Sequence, residues 1–207
     1  MITVGEYVTK IFVADKEIEL SHIKEYKRFI EIINYCNTAV LNENGTYSGD
    51  AVDVALKEYL KDHNIKIKQN KEVIELPFDS DRKMMSSVYE VDEKNILYTK
   101  GSLESILQRS TKALINGELI NLSKEKIKEY NEIENLMSQE ALKVLAFAYK
   151  EIDKNIKDEQ DYFKEESDLI LVGLIGLKDP VRKNIKESIK VCQNAHIRPI
   201  MLTGDNL

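Results

Sequence analysis

Residues 169–177 read LILVGLIGL, a run with no charge and no hydrogen-bonding side chain. The run is far too short to cross a bilayer as a helix, which takes roughly 20 apolar residues. As a strand it has no face fit for water, because successive side chains point to opposite sides and here both sides are apolar. Such a strand has to be buried on both faces. Strands of this kind are typical of parallel sheets. A helix expected to open at Pro180 and run through Val191 follows, and then a second apolar strand from Ile197 to Leu202. Strand, helix and strand at that spacing predict a βαβ unit. Thr203, Gly204 and Asp205 would lie at the carboxyl end of its second strand, where ligands gather in open α/β sheets.

The chain before this run patterns differently. TVGEYVTKIFVADKEIEL reads as two short strands around a turn at Ala14-Asp15-Lys16. Ser21 is placed to cap a helix with Ile23, Tyr26, Phe29, Ile30 and Ile33 on one face. An Asn- and Gly-rich loop, NENGTYSG, leads to Asp50, placed to cap the helix AVDVALKEYLKDH. KEVIELPF reads as a strand that Pro77 ends or confines to a sheet edge. KMMSSVYEVD and NILYTKG form a hairpin around Asp92-Glu93-Lys94, a short helix runs from Ser102 to about Ser110, and Asn116-Gly117 marks another hairpin turn. A charged amphipathic helix opens at Ser123, LKVLAFAYKEI reads as a buried strand, and DKNIKDEQDYFKEES as a surface loop or linker. The expected fold is α+β: an antiparallel sheet flanked by helices, followed by a partial βαβ segment of a parallel α/β domain. The expected units are residues 1–171 and 172–207.

A net charge of −6 argues against nucleic acid as the main partner, since neutralising phosphates takes a basic surface. Lysines are abundant, so a local basic pocket is compatible with that balance. Cys36 and Cys192 lie far apart in apolar helical patterns and read as buried free thiols. His22, His63 and His196 have no metal-ligand spacing with one another or with the cysteines, so no metal site is expected from this chain alone. No signal-peptide pattern opens the chain, and the expected location is cytosolic.

Three stretches combine residue types that suit a purine nucleotide. LPFDSDRKMMSS places Phe78 shortly before Arg82 and Lys83, YTKGS ends a strand with Lys100-Gly101, and GDAVDVAL puts Asp50 and Asp53 in the first turn of a helix. An aromatic face can stack on a base, a carboxylate can accept from an exocyclic amine, ammonium groups can meet phosphates, and glycine permits close approach to the backbone. Taken singly, each has a plainer explanation: Phe78 as core, Lys83 and Lys100 as solvated strand ends, Asp50 and Asp53 as helix-capping acids. Neither G-x-x-x-x-G-K-[ST] nor G-x-G-x-x-G occurs, which excludes a P-loop NTPase or a Rossmann dinucleotide site.

The order of the stretches is more specific than any one of them. GDAVDVAL, PFDSDRKMMS, YTKGSLESIL, ALKVLAFAYK, LVGLIGLKDPVR and MLTGDN, in that order, resemble the P-type ATPases. The likeness runs over their nucleotide-binding domain and on into their HAD-like phosphorylation domain. FDSDRKMMS and GLIGLKDPVR are most similar to the bacterial calcium-transporting branch. The resemblance implies that Phe78 stacks on adenine, that Asp53 faces the adenine edge, and that Lys83, Lys100 and Gly101 line the pocket. It implies that Lys143 reaches toward the phosphates. Asp179, Pro180 and Arg182 would form the hinge between domains, and Thr203, Gly204 and Asp205 would sit beside the phosphorylation site. ATP is the implied ligand, with Mg2+ bound alongside it in the full-length parent. The implied partners are the phosphorylation, actuator and transmembrane domains of that parent, this chain being a cytoplasmic domain of a cell-membrane protein that touches no membrane itself.

The family's phosphoacceptor aspartate lies in Asp-Lys-Thr-Gly-Thr, and no Asp-Lys-Thr occurs here. The expectation is therefore a piece that presents the γ-phosphate to an aspartate outside it and cannot hydrolyse ATP alone. GDAVD stands where the family commonly has GDPTE, which makes the acid Asp53 rather than a longer Glu. Ser80 stands where some animal calcium pumps carry Arg. Lys143 replaces the usual Arg, a point charge in place of a fork. Weaker nucleotide binding is implied. A HAD-like phosphatase fragment is the first alternative, although no Asp-x-Asp on an apolar strand supports it. A non-catalytic nucleotide- or protein-interaction module is the second.

Overall fold

The computed structural model describes residues 5–156, 158–179 and 185–200. Pro180, Arg182, Thr203, Gly204 and Asp205 lie outside the described residues, as does the end of the strand expected to reach Leu202. In chain order the elements are β1 (Tyr7–Val13), β2 (Lys16–Ile18), a 3-10 turn (Leu20–Glu25), α1 (Lys27–Tyr35), β3 (Val40–Leu41), β4 (Tyr47–Ser48) and α2 (Ala51–Asp62). There follow β5 (Lys71–Asp79), β6 (Met84–Val91), β7 (Lys94–Gly101), α3 (Leu103–Arg109), β8 (Ser110–Ile115), β9 (Glu118–Asn121) and α4 (Lys124–Gln139). The last are β10 (Lys143–Ile152), α5 (Glu159–Lys164), β11 (Leu169–Lys178) and α6 (Ile185–Asn194).

Among the described residues, nine strands form one sheet, in the order β2-β1-β11-β10-β7-β6-β5, with β8 joining β11 and β9 joining β8. The apolar run is β11, and it lies inside the sheet as its double-sided burial requires. Its direction differs from the expectation. β11 runs antiparallel to β1 over Gly173–Lys178 and antiparallel to β10, and pairs in parallel only with β8, around Leu169–Leu171. The position expected to divide two units, 171/172, thus falls within one strand. Burial on both faces makes a strand apolar throughout whichever way its neighbours run.

Two helical layers supply that burial. On one face α1 and α2 enclose Ile11, Phe29, Leu56, Tyr98, Phe147 and Ile175. On the other, α3, α4 and α5 cover Leu76, Met84, Leu97, Ile106, Tyr130, Leu171 and Leu174. Alternate residues of β11 feed the two cores, Ile175 and Leu177 into one and Leu171 and Leu174 into the other.

Local signals behave as their chemistry dictates. Asp50, Ser102 and Ser123 each accept a hydrogen bond from the first turn of the helix they open. Ala14-Asp15, Asp92-Glu93 and Asn116-Gly117 all take positive φ, as tight hairpin turns require. β5 is an edge strand, which is where Pro77 can be tolerated. Elsewhere tertiary packing overrides the pattern. Ser21 caps no α-helix: the chain makes a 3-10 turn, and α1 starts at Lys27 without a side-chain cap. NENGTYSG contributes Tyr47 and Ser48 to a small hairpin, β3–β4. The presumed linker contains α5, with Tyr162 and Glu166 buried. Cys36 is buried, but Cys192 is only partly covered, because α6 buries none of its side chains. Ile197–Ile200 forms no strand.

At Gly173, where β1 crosses β11, an added Cβ would sit 2.5 Å from the Phe12 carbonyl oxygen and 3.3 Å from the Phe29 ring. Gly173→Ala is expected to destabilise the fold by about 1–3 kcal/mol. Urea unfolding should show this as a lower midpoint at unchanged m-value.

Candidate functional site

Asp53, Phe78, Lys83, Lys100 and Gly101 lie on the start of α2, the end of β7 and the end of β5 with the loop joining it to β6. Asp50 caps α2 by accepting from Val52 N at 3.0 Å. Asp53 lies on the inner side of the same turn and is 3 % exposed. Its Oδ2 accepts from the Thr38 backbone N–H at 2.8 Å and from the Thr38 hydroxyl at 2.7 Å. Its Oδ1 is paired with the Lys100 ammonium. Lys100 is itself buried. The expectation of a solvated strand end is therefore wrong for Lys100, and the reason is its partner: a charge tolerates burial when an opposite charge and hydrogen bonds replace its water. Asp53 in turn has both oxygens engaged within the protein, so it is not a free acceptor facing outward.

Other titratable groups crowd this pair. Lys57, one turn along α2, donates to the Asn34 carbonyl and side-chain oxygens, each at 2.8 Å. Burial pushes its ammonium down to about 8, with the Lys100 charge adding to the effect and Asp53 opposing it. Glu75 on β5 is shifted upward by burial first and by Glu72 and Asp53 next. Burial pushes the Cys36 thiol up to about 12, which makes it unreactive at neutral pH.

Phe78 sits on edge strand β5 within the register shift between Leu76 and Asp79, and it is 64 % exposed. It is not core. After it, Asp79 Oδ1 accepts from the backbone N–H groups of Asp81 and Arg82, both at 2.9 Å, which folds the loop tightly. Lys83 takes a left-handed φ of 52°. Its N–H donates to Asp79 O at 2.7 Å and its carbonyl accepts from Ser102 N–H at 2.9 Å. The Lys83 side chain is exposed, with Glu104 at 3.6 Å. At Gly101, a Cβ would lie 2.5 Å from Met84 Cβ and 2.6 Å from Lys83 O. The protein's own backbone therefore requires glycine here, whatever approaches from outside.

Arg82 turns inward. Its Nη1 donates to both Glu166 oxygens, at 2.6 and 2.5 Å, and its Nη2 to Pro77 O at 2.6 Å, with the guanidinium 4.8 Å from the centre of the Phe163 ring. Lys143, at the start of β10, is half exposed and 3.5 Å from Glu6. Phe147 is the residue of β10 that pairs with Lys100. Lys143 is four positions away from it on β10, which places Lys143 about 13 Å further along the sheet. Asp179 is exposed just past β11. Clefts of about 430 and 490 Å³ lie elsewhere, one lined by Lys24, Tyr35, Lys66 and Asn70 and the other by Tyr26, Arg28 and Leu114. The candidate residues lie toward the β5 edge of the sheet.

The family described as P-type ATPase, cytoplasmic domain N, matches residues 25–184, a span that takes in the whole of β11. The chain belongs to that family. A calcium-transporting ATPase of Bacillus cereus is 38 % identical over 187 residues, which is 86 % of this chain and 20 % of the relative. One from Listeria monocytogenes is 32 % identical over 87 % of this chain and 21 % of its own length. One from Saccharomyces cerevisiae is 34 % identical over 88 % of this chain and 20 % of its own length. The chain thus spans about a fifth of the length of these relatives. No helix among the described residues of domain N is long and apolar enough to cross a membrane.

Domain N therefore carries its candidate surface on top of a buried ion pair, and the pair can be tested apart from any ligand. Lys100→Ala strands Asp53 without its cation, and should cost about 3–5 kcal/mol of folding stability in chemical denaturation. Lys57 provides a second test. Its unfolded value is 10.5 and its folded value about 8, so the unfolded chain binds the extra proton between those pH values. Its contribution makes stability rise with pH across that window. The pH-dependence of unfolding between 8 and 10 should therefore be less positive in Lys57→Met than in the parent, and the Lys57 Cε resonance should titrate near 8.

Proposed function

We propose that this domain N binds ATP along the β5–β6 edge and, within a parent pump, presents the γ-phosphate to a phosphoacceptor aspartate outside the chain. The observation that best supports this reading is the exposure of Phe78. A large aromatic ring left 64 % exposed on an edge strand carries a hydrophobic cost that stacking on a base would relieve. Lys83 follows on the same loop with its ammonium in water, and Lys143 offers a second exposed ammonium further along the sheet. In this reading Phe78 takes the adenine and the two lysines steer the phosphates. Asp53 and Lys100 act from beneath: their pair anchors the start of α2 to the end of β7, and Asp53 does not itself read the adenine edge. Mg2+ enters with the phosphates of the nucleotide. The reaction in the parent is phosphoryl transfer to a carboxylate, in which positioning and charge stabilisation supply most of the catalysis. Calcium as the transported ion rests on the relatives' names, and the cytoplasmic placement on the family's description. The proposed hinge and phosphorylation-side roles of Asp179, Arg182, Thr203, Gly204 and Asp205 rest on the motif resemblance. The phosphatase alternative loses ground because β11 is antiparallel to β1 and β10 rather than the start of a parallel sheet.

Calorimetric titration of the 207-residue chain with ATP should give a dissociation constant on the order of 0.1–1 mM, roughly −5.5 to −4 kcal/mol, with ADP binding about as well. Phe78→Ala should lose about 1–2 kcal/mol of that binding at unchanged melting temperature. A Phe78→Ala chain that unfolds, or one that binds as before, sinks the assignment. With γ-labelled ATP and Mg2+, the chain should form no acid-stable, hydroxylamine-sensitive phosphoenzyme, because that chemistry needs an in-line carboxylate acceptor.

A further inference from the structure

Glu166 has no place in the nucleotide surface just described, yet its carboxylate is 4 % exposed and surrounded by donors. Both oxygens accept from Arg82, and Oε1 also accepts from the Ser86 hydroxyl at 2.7 Å, which is linked at 2.9 Å to the Thr99 hydroxyl. The acid that follows α5 is thus tied to β6 and β7 and to the β5–β6 loop. Arg82 carries the tie onward. Its second nitrogen holds the carbonyl of Pro77, the residue before Phe78, while Asp79 holds the N–H groups of Asp81 and Arg82 behind it. One guanidinium therefore closes the loop at both ends, backed by the Phe163 ring. Arginine stays protonated, and Arg82 is only one-fifth exposed, so the Glu166 carboxylate is what holds its charge against the protein rather than in water. Without Glu166 the guanidinium would turn to water, release Pro77 and leave the backbone at Phe78 unheld.

We propose that Glu166 is a positioning residue: through Arg82 it holds the Pro77–Lys83 loop in the form that presents Phe78 and Lys83 to nucleotide. The proposal rests on the nucleotide reading above and adds a preorganisation device to it. A loop ordered in advance gives up less entropy on binding.

The test uses Glu166→Gln, which keeps the size and the acceptor for Ser86 but removes the charge, and Arg82→Lys, which leaves Glu166 paired but cannot also reach Pro77. Each should weaken ATP binding about five- to tenfold, the effect of ordering one segment at the moment of binding. Amide exchange at residues 78–83 should quicken while exchange in β11 stays slow, a local change that a merely structural role would not produce. In a Phe78→Ala background, Glu166→Gln should cause a smaller loss than in the parent, because only its effect through Lys83 remains. A folded Glu166→Gln or Arg82→Lys chain with parental affinity overturns the proposal, as does an undiminished loss in the Phe78→Ala background. If the parent itself binds no ATP, the nucleotide reading fails separately. Loop exchange then decides: quickening confined to 78–83 supports the clamp, and unchanged exchange overturns it.

Discussion

A strand with no face for water forces a layer of helices onto each side of the sheet, and β11 imposes that requirement on everything around it. α1 and α2 cover one face and α3, α4 and α5 the other. Toward β5 the sheet runs out to one of its edges, the others being β2 and β9. The candidate surface lies along the β5 edge.

At that edge two charge pairs, one buried and one partly exposed through Arg82, lie on opposite faces of β6 and β7. Lys100 meets Asp53 on the α2 side, while Ser86 and Thr99, on the other face of the strands, meet the Glu166–Arg82 pair. Buried ion pairs contribute little net stability compared with hydrophobic replacements, but breaking one leaves an uncompensated charge inside. Their effect is geometric. One pair fixes α2 against β7, and the other fixes the β5–β6 loop that follows the exposed Phe78. Preorganisation of this kind lowers the ordering cost of binding.

What could be read from the sequence follows from the range of each signal. Caps at Asp50, Ser102 and Ser123, the tight turns and the burial of β11 are local or periodic, and each was legible. The direction of β11 was not, because a strand apolar on both faces looks the same in either orientation. The state of Lys100 was not legible either, since its partner is 47 residues away and no local pattern announces such a pair. Glu166 lies 84 residues from Arg82, inside a charged stretch that reads as linker. Its one local signal is the Tyr162-Phe163 dipeptide ahead of it, apolar residues three and four positions away that would share a helical face with it. For Phe78 the position was visible, but whether its ring was core or exposed was decided only by the fold.

The central claim is that the exposed ring of Phe78 receives the base. Intermolecular NOEs between ATP and the isotope-labelled chain test it most directly. The adenine H2 and H8 protons should show cross-peaks to the Phe78 ring protons, with Lys83 amide shifts moving in the same titration. Adenine cross-peaks confined to other residues, such as Tyr35 in the cleft beside Lys66, would contradict it.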